Sequence, residues 1–192
     1  MNKNIILVLL LAAASTAQAQ SMKDIFLKMP QTVCPALSEY NRLELVDNQL
    51  NNKPMQTRNQ LSNLSHMQTL TVEYAHLIVS KNSEKQFKLL PLNNGSNIIL
   101  AISTVRSDSI YDSSISFYTT DWQPLDATIY CNKLTSADFR RIAIAKDSNN
   151  LIVTVSHPLS LQTDGTSNPV SAPSETEVWI WNKDENKYTT FN

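Results

Sequence analysis

The chain has 192 residues, with 16 Lys and Arg against 17 Asp and Glu and a formal charge of −1. Near-neutrality without a basic stripe argues against a nucleic-acid surface, which has to meet phosphate charge with clustered cations. Only two glycines occur, Gly95 and Gly165, so no Gly-rich phosphate cradle can be drawn.

The N-terminus carries the most specific signal. "MNKN" contributes one cation, Lys3; "IILVLLLAAA" is a short apolar run; "STAQAQ" places Ala17 and Ala19 at the small-residue positions of a cleavage site. That order reads as a secretory signal peptide over residues 1–19, with Gln20 opening the mature chain. A transmembrane anchor needs about 20 apolar residues, more than this run offers. No second apolar segment reaches spanning length, and no Cys near the cut provides for a lipid anchor. The expected location is the periplasm or the extracellular space, and residues 20–192 are expected to form a single α+β domain.

After the leader, Met22, Ile25, Phe26 and Met29 fall on one helical face, and Pro30 stops the helix. A second helix is expected within "PALSEYNRLELVDNQLNN", with Asn41 and Glu44 as a capping pair and Leu43, Val46 and Leu50 lining one side. Residues 51–65 read as a polar loop with some helix. From Met67 the pattern turns to β-branched and aromatic residues: "TLTVEYAHLIV", "KQFKLLPL", "NIILAISTV", "SSISFYTT" and "DATIYC" read as strands at hairpin spacing. "TSADFRR" interrupts them as a short helix with Thr135 and Asp138 in a capping pattern. "RIAIAK", "NLIVTVS", "EVWIWN" and "KYTTF" resume as strands. Asn93-Asn94-Gly95, Ser148-Asn149-Asn150 and Asp184-Glu185-Asn186 supply turns. The fold class is α+β, with N-terminal helices and one mid-chain helix packed on antiparallel β-meanders.

Two β-rich stretches, about 67–133 and 134–192, resemble each other. Asn97 falls on Asn150, Ser103 on Ser156, and Phe117 on Trp179, with the extra length in a Ser/Thr/Pro-rich loop. The halves are either a true repeat or two meanders alike because alternation and turn chemistry are generic.

"MKDIFLKMP", "NRLELVD", "LTVEYAHLIVS", "KLLPL", "FYTTDWQPL" and a late "VWIWN" are similar to motifs of a family of secreted Bacteroidales proteins, domain of unknown function 3256. The resemblance runs over nearly the whole mature chain. It implies an exported protein of a Gram-negative bacterium and implies no reaction and no site residues.

Candidates for chemistry are few. His66, His76 and His157 lack the short spacings of a zinc site, and no cofactor is implied. No G-x-S-x-G elbow occurs, and Cys131 with His157 has no local signature of a nucleophile–base pair. Asp121 and Asp184 sit in corresponding turns, where acids ordinarily serve turn geometry. Cys34 and Cys131 are the only cysteines. In an exported chain they are a candidate disulfide, which would add about 4 kcal/mol by closing a long loop; two free thiols are the other reading. Tyr118, Trp122, Trp179 and Trp181 are a candidate aromatic surface for a protein or glycan ligand, or else core residues. The functional expectation is a non-enzymatic binding module, with a small hydrolase using dispersed residues as the alternative. Mass spectrometry of exported protein should find Gln20, or its cyclised form, at the N-terminus; an intact Met1 in the periplasmic fraction would refute the leader.

Overall fold

The computed structural model describes residues 20–107, 110–132, 139–145, 147–155 and 175–190. The leader, most of the expected Thr135 helix and the Ser/Thr/Pro-rich loop lie outside the described residues. The architecture is mixed α+β: helices packed on a seven-stranded antiparallel sheet, which packs in turn on a four-stranded antiparallel sheet.

Helix α1, Met22–Leu27, is capped by Ser21, whose hydroxyl accepts from Asp24 N. Met22, Ile25, Phe26 and Met29 are all buried, so the helical spacing in the sequence gives the inward face correctly. Helix α2, Glu39–Leu50, starts three residues earlier than Asn41 suggested. Ser38 is the N-cap, and Asn41 closes a capping box on it. The inward face is rotated accordingly. Leu45 and Val46 are buried, whereas Leu43 is 50% and Leu50 54% exposed.

The large sheet is an unbroken meander: β1 (Thr57–Arg58), β2 (Leu64–Leu70), β3 (Tyr74–Ser80), β4 (Ser83–Pro91), β5 (Asn97–Ser107), β6 (Ile110–Thr119) and β7 (Pro124–Leu125) neighbour one another in sequence order. "TLTVEYAHLIV" is two strands rather than one, because Thr71 Oγ1 accepts from Tyr74 N at 3.0 Å and folds Thr71–Glu73 into a turn. Residues 57–58, read as loop, form β1. "DATIYC" is not a strand: Asp126 caps a single helical turn, α3 (Ala127–Tyr130), by accepting from Thr128 N at 2.9 Å. The small sheet runs β11-β10-β9-β8, from β8 (Arg140–Ile144), β9 (Leu151–Val155), β10 (Glu175–Asn182) and β11 (Lys187–Thr190).

The continuous apolar run "NIILAI" follows from this layering. Ile99 and Ala101 face the helices, while Ile98, Leu100 and Ile102 face the small sheet, and all five are buried. One core lies between helices and large sheet, around Phe26, Phe87 and Trp122; the other lies between the sheets, around Phe117, Trp179 and Trp181.

Two indoles pin the outer layers to the large sheet. Trp122 Nε1 donates to Ile25 O of α1 at 2.9 Å, and its ring meets Phe87 edge-on at 5.8 Å. Trp122 holds φ at 64° to do this, an uncommon conformation for a bulky residue. Trp181 Nε1 donates to Pro91 O at the end of β4, also at 2.9 Å. A third connection protects β8, the edge of the small sheet. Its outward amides are met by side chains of the large sheet, Ile142 N by Ser113 Oγ at 3.0 Å and Ile144 N by Gln86 Oε1 at 3.1 Å.

The halves differ in strand number: residues 67–133 hold β3 and most of β2 besides β4–β7, whereas the second half is described as β8–β11 alone, although Phe117 and Trp179 both point into the inter-sheet core. Their registers differ. Leu100 opposes Phe117, whereas its sequence counterpart Val153 opposes Glu177, and Trp179 opposes Leu151. A slip of two positions preserves the inward face, so alternation constrains the face without fixing the pairing.

Neither cysteine is in a disulfide and both are buried, Cys34 in the helix-side core and Cys131 in the inter-sheet core. The candidate disulfide is therefore not formed: the large sheet lies between the two thiols. Alkylation without reductant should leave both thiols unmodified in the native protein and modify both after denaturation; a linked Cys34–Cys131 peptide would contradict this arrangement. Truncation of Phe117 to Ala, at 1% exposure, should cost about 3–5 kcal/mol in urea denaturation, and Asp121→Asn in its exposed turn far less.

Candidate functional site

Of the two readings of the aromatic residues, the core reading describes the three tryptophans and the candidate surface does not form. Trp122 is 5%, Trp179 3% and Trp181 8% exposed, and they divide between the two cores. Tyr118 lies against Trp122, 5.4 Å between ring centroids, on the helix side of the sheet. Each buried indole finds a hydrogen-bond acceptor, Trp122 and Trp181 at backbone carbonyls and Trp179 at the Glu177 carboxylate. Asp121 and Asp184 occupy separate exposed turns, and His157 lies outside the described residues.

The concave features instead gather where strand pairing fails. β1 pairs with β2 only through Thr57 with Ser65 and Arg58 with Leu64. Continued pairing would set Gln56, Met55 and Pro54 opposite His66, Met67 and Gln68. Pro54 has no N–H to donate to a ladder, and the chain splays away. The opened pair encloses a cleft of about 340 Å³, lined by those two stretches and by Leu45, Asn48 and Gln49 of α2.

On the other face of β2 runs a second cleft of about 660 Å³, between the uncovered part of the large sheet and the end of β8. Thr69, Thr71, Tyr74, His76 and Lys88 line it, with Ile144 and Asp147 beyond. Gln68 belongs to both clefts. It is the extra residue of a β-bulge, since Met67 opposes Leu77 and Thr69 opposes His76. The bulge also makes the free edge of β2 irregular.

Three charge pairs lie along or beside this trough. Lys53 meets Asp47 at 2.7 Å, Lys88 meets Glu73 at 3.3 Å, and His76 Nε2 lies 3.1 Å from Glu84 Oε2. The hydrogen bond from His76 holds the Glu84 carboxyl below its ordinary value, against the opposing effect of burial. Burial, with Glu84 nearby, pushes the Tyr74 phenol up to about 12, and its hydroxyl lies 3.1 Å from Gln86 Oε1. Near neutral pH the acid is ionised and the phenol protonated, so neither is a proton donor or acceptor matched to that pH.

Among the described residues, two polar atoms at the first cleft have no hydrogen-bond partner. Asn48 Nδ2 and His66 Nδ1 are both shielded from solvent and make no hydrogen bond, and both residues line the cleft. Asn48 as a whole is 7% exposed. A third such atom, Thr57 Oγ1 on β1, is not part of the lining. A buried polar group left unpaired costs about 1–3 kcal/mol, so two at one cleft are a feature to account for. Neither residue stands out in the sequence: His66 lacks a metal-site spacing, and Asn48 is one polar residue among several in a helix. The available signal was Pro54 beside an emerging strand.

A third concavity, about 160 Å³, lies beside the turn between β3 and β4. There the guanidinium carbons of Arg106 and Arg141 stand 5.6 and 4.7 Å from the Tyr111 ring centroid. Among the described residues, no three His, Cys, Asp or Glu side chains converge as ligands for a metal ion.

A helical layer on an antiparallel meander, backed by a second antiparallel sheet, defines a layered α+β domain. The family described as a protein of unknown function, DUF3256, matches residues 14–161, and the chain belongs to that family. It is similar in fold to a solved domain of an uncharacterized protein from Porphyromonas gingivalis W83, with a TM-score of 0.67 and 17% identity over 90% of this chain and 98% of that one. No curated protein matches the chain.

The carboxyl of Glu84 makes a test of the trough's electrostatics. Its folded-state value lies below the ordinary 4.5, so the pairing stabilises the fold above that pH and is lost as pH falls through the folded value. His76→Ala should remove this component, giving a smaller loss of urea midpoint on acidification than in the parent protein. An identical acid limb in both proteins would contradict the pairing.

Proposed function

We propose that this chain is an exported, non-enzymatic binding module whose recognition surface is the trough along β2. Export rests on the signal-peptide pattern of residues 1–19. Binding rests on one observation above the others: the two clefts that meet at Gln68 are lined by polar side chains, and their cations Lys53 and Lys88 are each already paired with a carboxylate. Such a surface favours selection of a ligand by hydrogen bonds and shape.

A small hydrolase is the second reading, and one contact favours it. Lys85 donates to Ser103 Oγ, and burial holds its ammonium below the ordinary range; once deprotonated, the amine would accept the hydroxyl proton instead, as a base does from a nucleophile. The two residues are cross-strand partners on β4 and β5, and neither lines the clefts described above.

The discriminating experiment immobilises residues 20–192 over a glycan array and a library of extended peptides, and in parallel assays ester and amide turnover. The binding reading predicts saturable retention that Gln68→Arg abolishes at unchanged melting temperature. Turnover lost in Ser103→Ala, with no retention of either ligand class, would overturn it in favour of the hydrolase.

A further inference from the structure

We infer that the cleft between α2 and the splayed β1–β2 pair is a subsite for a neutral, hydroxyl-rich ligand, a carbohydrate, with one hydroxyl bridging Asn48 Nδ2 and His66 Nδ1. The inference rests on the binding reading above and gives that site a ligand class. Its starting point is the pair of unpartnered nitrogens. A carboxamide nitrogen only donates, so Asn48 needs an acceptor. Nδ1 of a neutral imidazole with its proton on Nε2 only accepts, so His66 needs a donor. A hydroxyl is both at once. Its oxygen accepts from Asn48 while its proton goes to His66, and one group, reached by a small side-chain shift at the cleft floor, satisfies two buried atoms that the fold leaves unpartnered.

The rest of the lining agrees with this ligand. Gln49, Gln56 and Gln68 add three carboxamides, each able to donate and accept in the paired geometry that neighbouring hydroxyls present. Pro54 and Met55, both exposed, supply apolar surface for the C–H face of a sugar ring, over a floor closed by the buried Leu45 and Met67. The cation of the cleft, Lys53, is paired with Asp47, so the chemistry favours an uncharged ligand. A volume of about 340 Å³ accommodates one or two sugar rings. The second cleft, entered past Gln68, extends the path for a longer chain, with Tyr74, Thr69 and Thr71 along it.

An extended peptide added to β2 is the competing occupant of the same edge. Strand addition needs a regular row of backbone donors and acceptors, and the bulge at Gln68 interrupts that row at the centre of the trough. The irregular edge discourages a peptide strand and leaves side-chain recognition in place.

The test is a titration of the ¹⁵N-labelled chain, residues 20–192, with glucose, galactose, mannose, N-acetylglucosamine and their short neutral oligomers at millimolar concentration. The readouts are the Asn48 side-chain amide and the His66 ring. At least one sugar should shift both in a saturable way. Asn48→Asp, which exchanges the donor for an acceptor, and His66→Phe should each weaken binding about tenfold or more, the scale of one lost hydrogen bond at a buried site. Gln68→Ala, at an exposed position, repeats the test in a variant whose folding is not in question. Sugar binding that survives all three variants would overturn the subsite and leave the binding reading standing. Shifts with an extended peptide in place of any sugar would overturn the ligand class. Exchange of the Asn48 amide with water alone, with no sugar response, would assign the cleft to ordered solvent and refute the inference.

Discussion

A strand with apolar side chains on both faces needs two covers, and β5 imposes that requirement on the whole molecule. Ile99 and Ala101 demand one layer, Ile98, Leu100 and Ile102 another, and the chain supplies them from opposite ends of the sequence. Residues before the sheet provide α1 and α2; residues after it provide the four-stranded sheet. Fully burying a side chain of this kind contributes about 1.5–3 kcal/mol, so the covers are held chiefly by apolar area. The indole bonds of Trp122 and Trp181 add direction, setting where each layer sits on the large sheet.

The same requirement explains where the surface opens. The small sheet covers the part of the large sheet near β4, β5 and β6, with Gln86 and Ser113 capping the amides of β8. β2 and β3 extend past that cover. There the outward face carries Tyr74, His76 and Glu84 in place of aliphatic residues, and β1 parts from β2 after two pairs. The trough is thus a consequence of layers unequal in width, and its polar lining is what an uncovered sheet face permits.

Much of the fold was legible in the sequence for reasons that can be named. Alternation placed Ile115 and Phe117 on one face of β6, and the helical spacing from Met22 to Met29 gave the inward side of α1. The phase of α2 was not legible from Asn41, because Ser38 three residues upstream competes for the same role and wins the cap. "DATIYC" misled because its β-branched and aromatic residues outweigh the capping carboxylate of Asp126 in any reading by composition. Pro124 opens β7, opposite Tyr118, on an edge where a missing donor is tolerated. Nothing in the local pattern distinguishes a Trp that forms a surface from one that bonds a carbonyl in another layer. The trough was equally illegible, since it arises from Pro54 acting on a strand pair whose other member lies a turn away.

Hydrogen exchange at β8 measures the layered arrangement directly. An edge strand facing water exchanges its outward amides through local opening, well below the global stability. Here the outward amides of Ile142 and Ile144 are held by Ser113 and Gln86 of the other sheet. They should exchange as slowly as the amides of β5, and Gln86→Leu should accelerate Ile144 selectively. Fast exchange of both amides in the parent protein, at the rate of an open edge, would contradict the docking of the two sheets.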